Sequence, residues 1–286
     1  MSGLGRLLAA AVGAATARYT LRQIRTAPPA PALERTNFRG RTVTLAAGPA
    51  LAVGAAGASA LGAASVPAGA AALVAGLGAG AVGLYDDVVG GRPEQKTAKG
   101  FAGHLAALRE GRVTAGMIKV VGVGAAGLGA AALLAADPRV AARRPGQRPL
   151  ARAVDVLLGA GVVAGTANLL NLLDLRPGRA LKSGLLLGAP LARGPQGGIA
   201  AGAVGAAAGL LDEDLDERVM VGDSGANALG AVLGVALAVR TGPVGRAGIL
   251  AVLAGLTAAS EKVSFTQVIQ RTPGLRELDA LGRRSD

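Results

Sequence analysis

Residues 151–174 read ARAVDVLLGAGVVAGTANLLNLLD, an apolar run interrupted only by Arg152 and Asp155 near its start and by Asn168, Asn171 and Asp174 near its end. At about 1.5 Å per residue, the stretch 151–172 is long enough to cross the roughly 30 Å of hydrocarbon in a bilayer. Lipid offers no hydrogen bonds to a backbone, so a segment of this kind must satisfy its N–H and C=O groups internally, as a helix.

Working outward, similar apolar blocks lie at 4–18, 42–63, 66–85 and 114–136 on one side, and at 181–192, 196–211, 220–239 and 244–262 on the other. The sixth of the nine, 181–192, is the shortest. The expectation is an all-α, polytopic membrane protein with about nine (eight to ten) transmembrane helices, forming a single integral membrane domain over 1–286. Composition agrees: the chain is 51% hydrophobic and 17% charged, against about 25% charged residues in soluble domains. Its 46 glycines suit close approach between membrane helices. The first apolar run is expected to be an uncleaved span and not a signal peptide. Without cysteine there are neither disulfides nor thiolate metal sites.

A net charge of +12 suggests nucleic acid as a partner, but the basic residues occupy short connectors between apolar blocks, where they set membrane orientation. No nucleic-acid signature is present, so no nucleic-acid partner is expected. With the N-terminus outside, 20 of the 30 Lys and Arg fall on the inner side, nine fall outside, and Lys119 lies within a span. The Arg-rich connector 137–152 runs against this bias. The five aromatics, Tyr19, Phe38, Tyr85, Phe101 and Phe265, all fall on the proposed inner side or its interface, the zone aromatic rings favour.

Three polar motifs end up at inner helix ends under this topology. The third span closes with GLYDDVVG, which carries Asp86 and Asp87. Neighbouring helical residues point about 100° apart, so the two carboxylates can serve different partners; a hydrated loop start is the plainer alternative. The fifth span closes with NLLNLLD, where Asn168, Asn171 and Asp174 share one helical face. Such groups in an apolar span need each other, a cation or a polar ligand, and a helix-packing seam is the alternative. The eighth span opens with VMVGDSGANALG. Small residues and free N–H groups at a helix start favour an anion, with simple capping by Asp223 and Ser224 as the alternative. Four carboxylates, Asp86, Asp87, Asp174 and Asp223, are thus expected to converge on one cleft. Oxygen ligands of this kind suit Mg²⁺ held together with substrate phosphates.

The ordered set GLYDDVVG, NLLNLLD and GDSGANALG resembles the polyprenyl-phosphate N-acetylhexosamine-1-phosphate transferase family, which includes the phospho-N-acetylmuramoyl-pentapeptide transferase of peptidoglycan synthesis. The resemblance runs from about Glu34 to the C-terminus. It implies an enzyme of the bacterial cytoplasmic membrane with its active face cytoplasmic. Such an enzyme moves a phospho-sugar from a UDP-sugar to undecaprenyl (polyprenyl) phosphate with Mg²⁺ and releases UMP, in cell-envelope glycan synthesis. By resemblance Asp223 is the principal Mg²⁺ ligand, with Asp174 beside it. Asp86 and Asp87 are the catalytic pair, one deprotonating or orienting the lipid phosphate, and Asp174 joins them in catalysis. Asn168 and Asn171 lie on the nucleotide side. The stretch KTAKGFAGHLAAL resembles the family's basic loop, which gives Lys96 and Lys99 phosphate contacts as point charges. Catalysis would come from charge neutralisation and alignment. The resemblance leaves a homodimer open.

The chain also departs from the family. Pro177 stands where the family carries a second Asp after Asp174, and the late histidine cluster is absent, His104 being the only histidine. An acidic run, LLDEDLDER, precedes GDSG. The segment LRPGRALK brings Arg176, Arg179 and Lys182 beside the expected metal site, where they would substitute for lost metal charge or clamp an anionic head group. A divergent member is expected, and a catalytically inactive paralogue that binds a lipid-phosphate carrier or an envelope partner is the second reading. A transporter fits less well, because the motifs sit at helix ends and no internal repeat is visible.

Overall fold

The computed structural model describes residues 1–28, 30–37, 39–90, 103, 107, 109–111, 113–142, 146–194 and 196–284. Lys96, Lys99 and His104 therefore lie outside the described residues. Among the described residues, nine helices stand where the nine apolar blocks are: α1 (Gly3–Thr26), α2 (Ala47–Leu61), α3 (Val66–Tyr85), α4 (Ala115–Ala135), α5 (Pro149–Leu173), α6 (Arg179–Leu191), α7 (Gly198–Leu215), α8 (Gly222–Arg240) and α9 (Pro243–Ser260). Two short helices follow, α10 (Phe265–Arg271) and α11 (Leu275–Ala280). The all-α expectation holds.

Helix length and composition by themselves support five of the nine expected spans. Among the described residues, five helices are long and apolar enough to cross a membrane: α3 with its extension to Gly90, α4, α5, α8 and α9. The others fall short for visible reasons. Helix α2 is apolar but only 15 residues long, and α6 has 13 residues. Helix α1 carries Arg6, Arg18, Arg22 and Arg25, and α7 ends on Asp212, Glu213 and Asp214. The chain is a multi-pass membrane protein by its apolar helices.

Helix α8 is the axis of the bundle. Of its apolar stretch 83% is buried, against 11% for α9, which lies at the periphery. The close packing around α8 depends on missing side chains. A Cβ on Gly83 of α3 would stand 2.4 Å from the Asp223 carbonyl oxygen, and one on Gly48 of α2 would stand 2.6 Å from the Val221 carbonyl. Glycine is what lets three backbones meet at the start of α8.

The expected connector 19–41 is partly ordered differently. Helix α1 continues to Thr26, and a small antiparallel hairpin, β1 (Glu34–Thr36) and β2 (Thr42–Thr44), precedes α2. Asn37 holds its turn, accepting the N–H groups of Arg39 and Arg41 at 2.9 and 3.0 Å. Thr44 bridges to Val219 just ahead of α8, and Met220 N–H donates to its carbonyl at 2.8 Å. The hairpin thereby sits at the end of the bundle that carries the polar motifs.

Arginines gather at the opposite end as well, and there they close helices. Arg152 donates to the Ala135 carbonyl at the end of α4, at 3.0 Å. Arg240 donates to Leu191 at the end of α6, at 2.7 Å, and Arg246 to Ala238 in the last turn of α8, also at 2.7 Å. These carbonyls have no partner within their own helices and carry the negative end of the helix dipole. Arg246 also pairs with Asp155 at 2.9 Å, both buried, so the charges interrupting the start of α5 tie it to α9.

The Gly83→Ala substitution should lower thermal stability in detergent by about 1–3 kcal/mol through overpacking. Gly57→Ala on α2, where an added Cβ meets nothing within 4 Å, should leave the melting temperature near that of the wild type.

Candidate functional site

The chain leaves α3 through a wider π-type turn over Asp86–Gly90, a distortion that recurs at functional sites. The turn points its two carboxylates at different partners, as adjacent helical positions allow. Asp87 reaches the start of α8: its Oδ1 accepts Asp223 N–H at 3.0 Å and its Oδ2 accepts Ser224 N–H at 2.9 Å. The helix start does hold an anion, and that anion is Asp87. Capping by Asp223 or Ser224 is not observed, since Ser224 Oγ donates to the Gly80 carbonyl at 2.9 Å. Gly222 makes the approach possible. Its φ is +61°, and a Cβ there would stand 3.0 Å from both Asp87 oxygens and 2.6 Å from Leu45.

Asp86 turns to Lys119, one turn into α4. The Lys119 ammonium lies 2.7 Å from Asp86 Oδ2 and 2.6 Å from Asp223 Oδ2. On its other oxygen Asp223 accepts Asn171 Nδ2 at 2.5 Å. Four side chains from α3's end, α4, α5 and α8 thus form one continuous bonded cluster. Lys119 is the residue that sequence reasoning passed over. The signal was present, because a lone cation inside an otherwise apolar span is costly unless it has work to do.

The remaining predicted residues separate into two groups. Asn168 does not join the cluster: it donates to Thr257 Oγ1 of α9 at 2.9 Å and, with Asn171 and Lys119, lines an elongated cavity of about 360 Å³. Asp174 sits just past the end of α5, beside a second cavity of about 220 Å³ that it lines with Arg176, Pro177, Asp214, Glu217, Asn37 and Thr36. Burial, followed by the charges of Asp214, Asp223 and Asp87, pushes the Asp174 carboxyl well above its ordinary range.

Arg179 and Lys182 face away from this cavity. Arg179 is buried and grips Asp279 of α11 with two hydrogen bonds, at 2.7 and 2.9 Å, and donates to Thr266 of α10 at 2.9 Å. Lys182 donates to the carbonyls of Leu278, Asp279 and Leu281 at 2.9, 2.6 and 3.1 Å. Arg283 returns the contact, reaching the Pro177 carbonyl at 2.8 Å and Asp279 at 2.7 Å. The cations of LRPGRALK therefore fasten the C-terminal segment over the loop after α5, leaving Arg176 as the one at the cavity.

The donor set can be tested against Mg²⁺. Among the described residues, no three acidic or histidine side chains are grouped closely enough to hold an ion by themselves. Asp86 and Asp223 nevertheless aim one oxygen each at a common point, where the Lys119 ammonium sits. Two carboxylate oxygens on one cation match the way Mg²⁺ is bound when substrate phosphates complete its shell.

Comparison with known proteins adds no name: no family model and no curated protein matches the chain.

Two predictions follow from this geometry. Asp87→Asn places an amide N–H₂ against a backbone N–H that now has a carboxylate, so it should destabilise the fold by about 1.5–3 kcal/mol in thermal unfolding, more than Asp86→Asn does. The second concerns Asp214, whose carboxyl burial raises from 3.8 to about 7 against the opposing Gly178 N–H hydrogen bond and the charges of Arg283 and Lys182. A carboxyl raised in the fold favours the folded state at low pH and loses that contribution as pH rises from its unfolded to its folded value. Asp214 should therefore add a downward slope of up to roughly 1.4 kcal/mol per pH unit to wild-type stability between about pH 4 and 7, and melting curves of Asp214→Asn should be shallower by that amount, with the slope from the buried Asp174 remaining.

Proposed function

We propose that the chain is a membrane-embedded phospho-sugar transferase that acts at the end of its bundle where the three motifs meet. In this reading all nine helices α1–α9 are spans, that end faces the cytoplasm of a bacterium, and the substrates are a UDP-sugar and a polyprenyl phosphate. The observation that carries the reading is the bonded cluster of Asp86, Lys119, Asn171 and Asp223, with Asp87 on the amides of Asp223 and Ser224. It unites the motifs of the resemblance at one site, although they are far apart in sequence.

The reaction forms a P–O bond between a lipid-phosphate oxygen and the sugar-bearing phosphorus and breaks the diphosphate P–O bond, with UMP leaving. Mg²⁺ held by Asp86 and Asp223 would supply charge neutralisation for the diphosphate. Lys119, which holds that point here and would give way to the ion, then keeps its positive charge beside it for the phosphates. Asp87, with both oxygens on backbone amides, is a positioning residue that fixes Asp223. Asp86, bonded to a side chain that can move aside, is the carboxylate free to orient the lipid phosphate. The 220 Å³ cavity next to Asp174 has mostly apolar walls with a few polar side chains, Asn37 and Thr36 among them, for the nucleotide, and Arg176 stands there for an anionic group.

A second reading is favoured by Lys119 filling the point between the two carboxylates and by Pro177 at the position of the family's second Asp. In it the protein binds a lipid phosphate without turnover. Membranes containing the protein, given UDP-sugars, undecaprenyl phosphate and Mg²⁺, should release UMP, with at least a hundredfold loss (on the order of the effect of removing one transition-state contact) in Asp223→Asn and in Lys119→Ala. Absence of release from a folded preparation, together with lipid-phosphate binding that survives Asp223→Asn, would select the non-catalytic reading.

A further inference from the structure

We propose that a cleft between α1 and the end of α7 is a site for the phosphate of an anionic phospholipid headgroup. The cleft measures about 250 Å³ and is lined by Arg18, Arg22, Arg25 and Arg218 together with Asp212 and Glu213. Four guanidinium groups thus face two carboxylates. The carboxylates do not balance them evenly. Glu213 Oε2 is shared by Arg25 at 3.1 Å and Arg218 at 3.0 Å, and Arg218 also meets Asp216 at 3.0 Å. Arg18 uses its Nε on the Gly209 carbonyl at 2.8 Å, which fixes the plane of its guanidinium without neutralising it. The Arg22 guanidinium makes no hydrogen bond or ion pair among the described residues.

Position along α1 points to a lipid. Arg18, Arg22 and Arg25 follow the spacing of one helical face. Leu4 and Arg22 stand about five turns apart on the same line. On that side Leu4, Leu7 and Leu8 are 68, 70 and 57% exposed, and Tyr19 is 64% exposed beside the first arginine. The other face, Ala9, Gly13, Ala17 and Leu21, is buried against the bundle. An apolar stripe that ends in a tyrosine and then in arginines is the profile of a helix leaving hydrocarbon through the headgroup layer. At that depth the guanidinium groups meet phosphodiesters, whose paired oxygens fit their fork. An acidic protein segment would match the charge but gives no reason for the apolar stripe continuing from the cleft.

The site is distinct from the carboxylate cluster and independent of any transfer reaction. Purified full-length protein is titrated in detergent with phosphatidylglycerol, phosphatidylcholine or inorganic phosphate, with bound ligand counted by native mass spectrometry. Phosphatidylglycerol should bind more tightly than phosphatidylcholine. Arg22→Gln should weaken it about fivefold, and the Arg18→Gln/Arg22→Gln pair on the order of twentyfold. Because the Arg22 side chain is exposed and makes no hydrogen bond or ion pair among the described residues, its single variant should melt with the wild type, so its loss of lipid reads binding alone. Equal binding of the two lipids, unchanged binding by Arg22→Gln, or displacement of phosphatidylglycerol by equimolar inorganic phosphate would each overturn the assignment.

Discussion

The carboxylate of Asp87 on the second and third amides of α8 is the contact on which the polar end of this bundle depends. It joins the end of α3 to the start of the most buried helix. A helix start exposes unpaired N–H groups and a partial positive charge, so a carboxylate from a neighbouring helix satisfies two needs at once. The contact also determines what stands beside it. With its backbone fixed by Asp87, Asp223 presents both oxygens outward, one to Asn171 and one to Lys119. The glycines at positions 83 and 222 are the steric condition for this arrangement.

Carboxylates at the ends of membrane helices are costly without compensation, and two kinds appear here. Around Asp86 and Asp223 the compensation is a lysine. Around Asp174 and Asp214 it is weaker, and burial holds these carboxyls above their usual range. The two halves of the site thus differ in character: in one the protein supplies a cation that partly offsets the carboxylates, in the other burial holds the carboxyls above their usual range.

The helix positions were legible because apolar blocks and polar connectors alternate along the whole chain. Their limits were less so. Helix α1 runs past the expected 18 because Leu21 is buried while Arg18, Arg22 and Arg25 point outward, a pattern that a tally of charge reads as a connector. The hairpin left no trace, since three-residue strands have no period to detect and Asn37 is held by Glu217, 180 residues away. In the site, the motifs announced Asp86, Asp87, Asn171 and Asp223, yet spacing alone could not show that Asn168 faces α9. The cations of LRPGRALK were visible, but their partner Asp279 lies 100 residues beyond Arg179. Distance along the chain, and not weakness of the interaction, concealed these pairs.

Basic residues at the far end of the bundle change how its polarity should be weighed. Arg152, Arg240 and Arg246 lie against the terminal carbonyls of α4, α6 and α8, each of which carries about half a negative elementary charge. A guanidinium held in this way is partly cancelled before any outside group can sense it, whereas Arg22 at the other end is not. A raw tally of arginines and lysines therefore overstates the positive charge that the far end of this bundle presents to its surroundings.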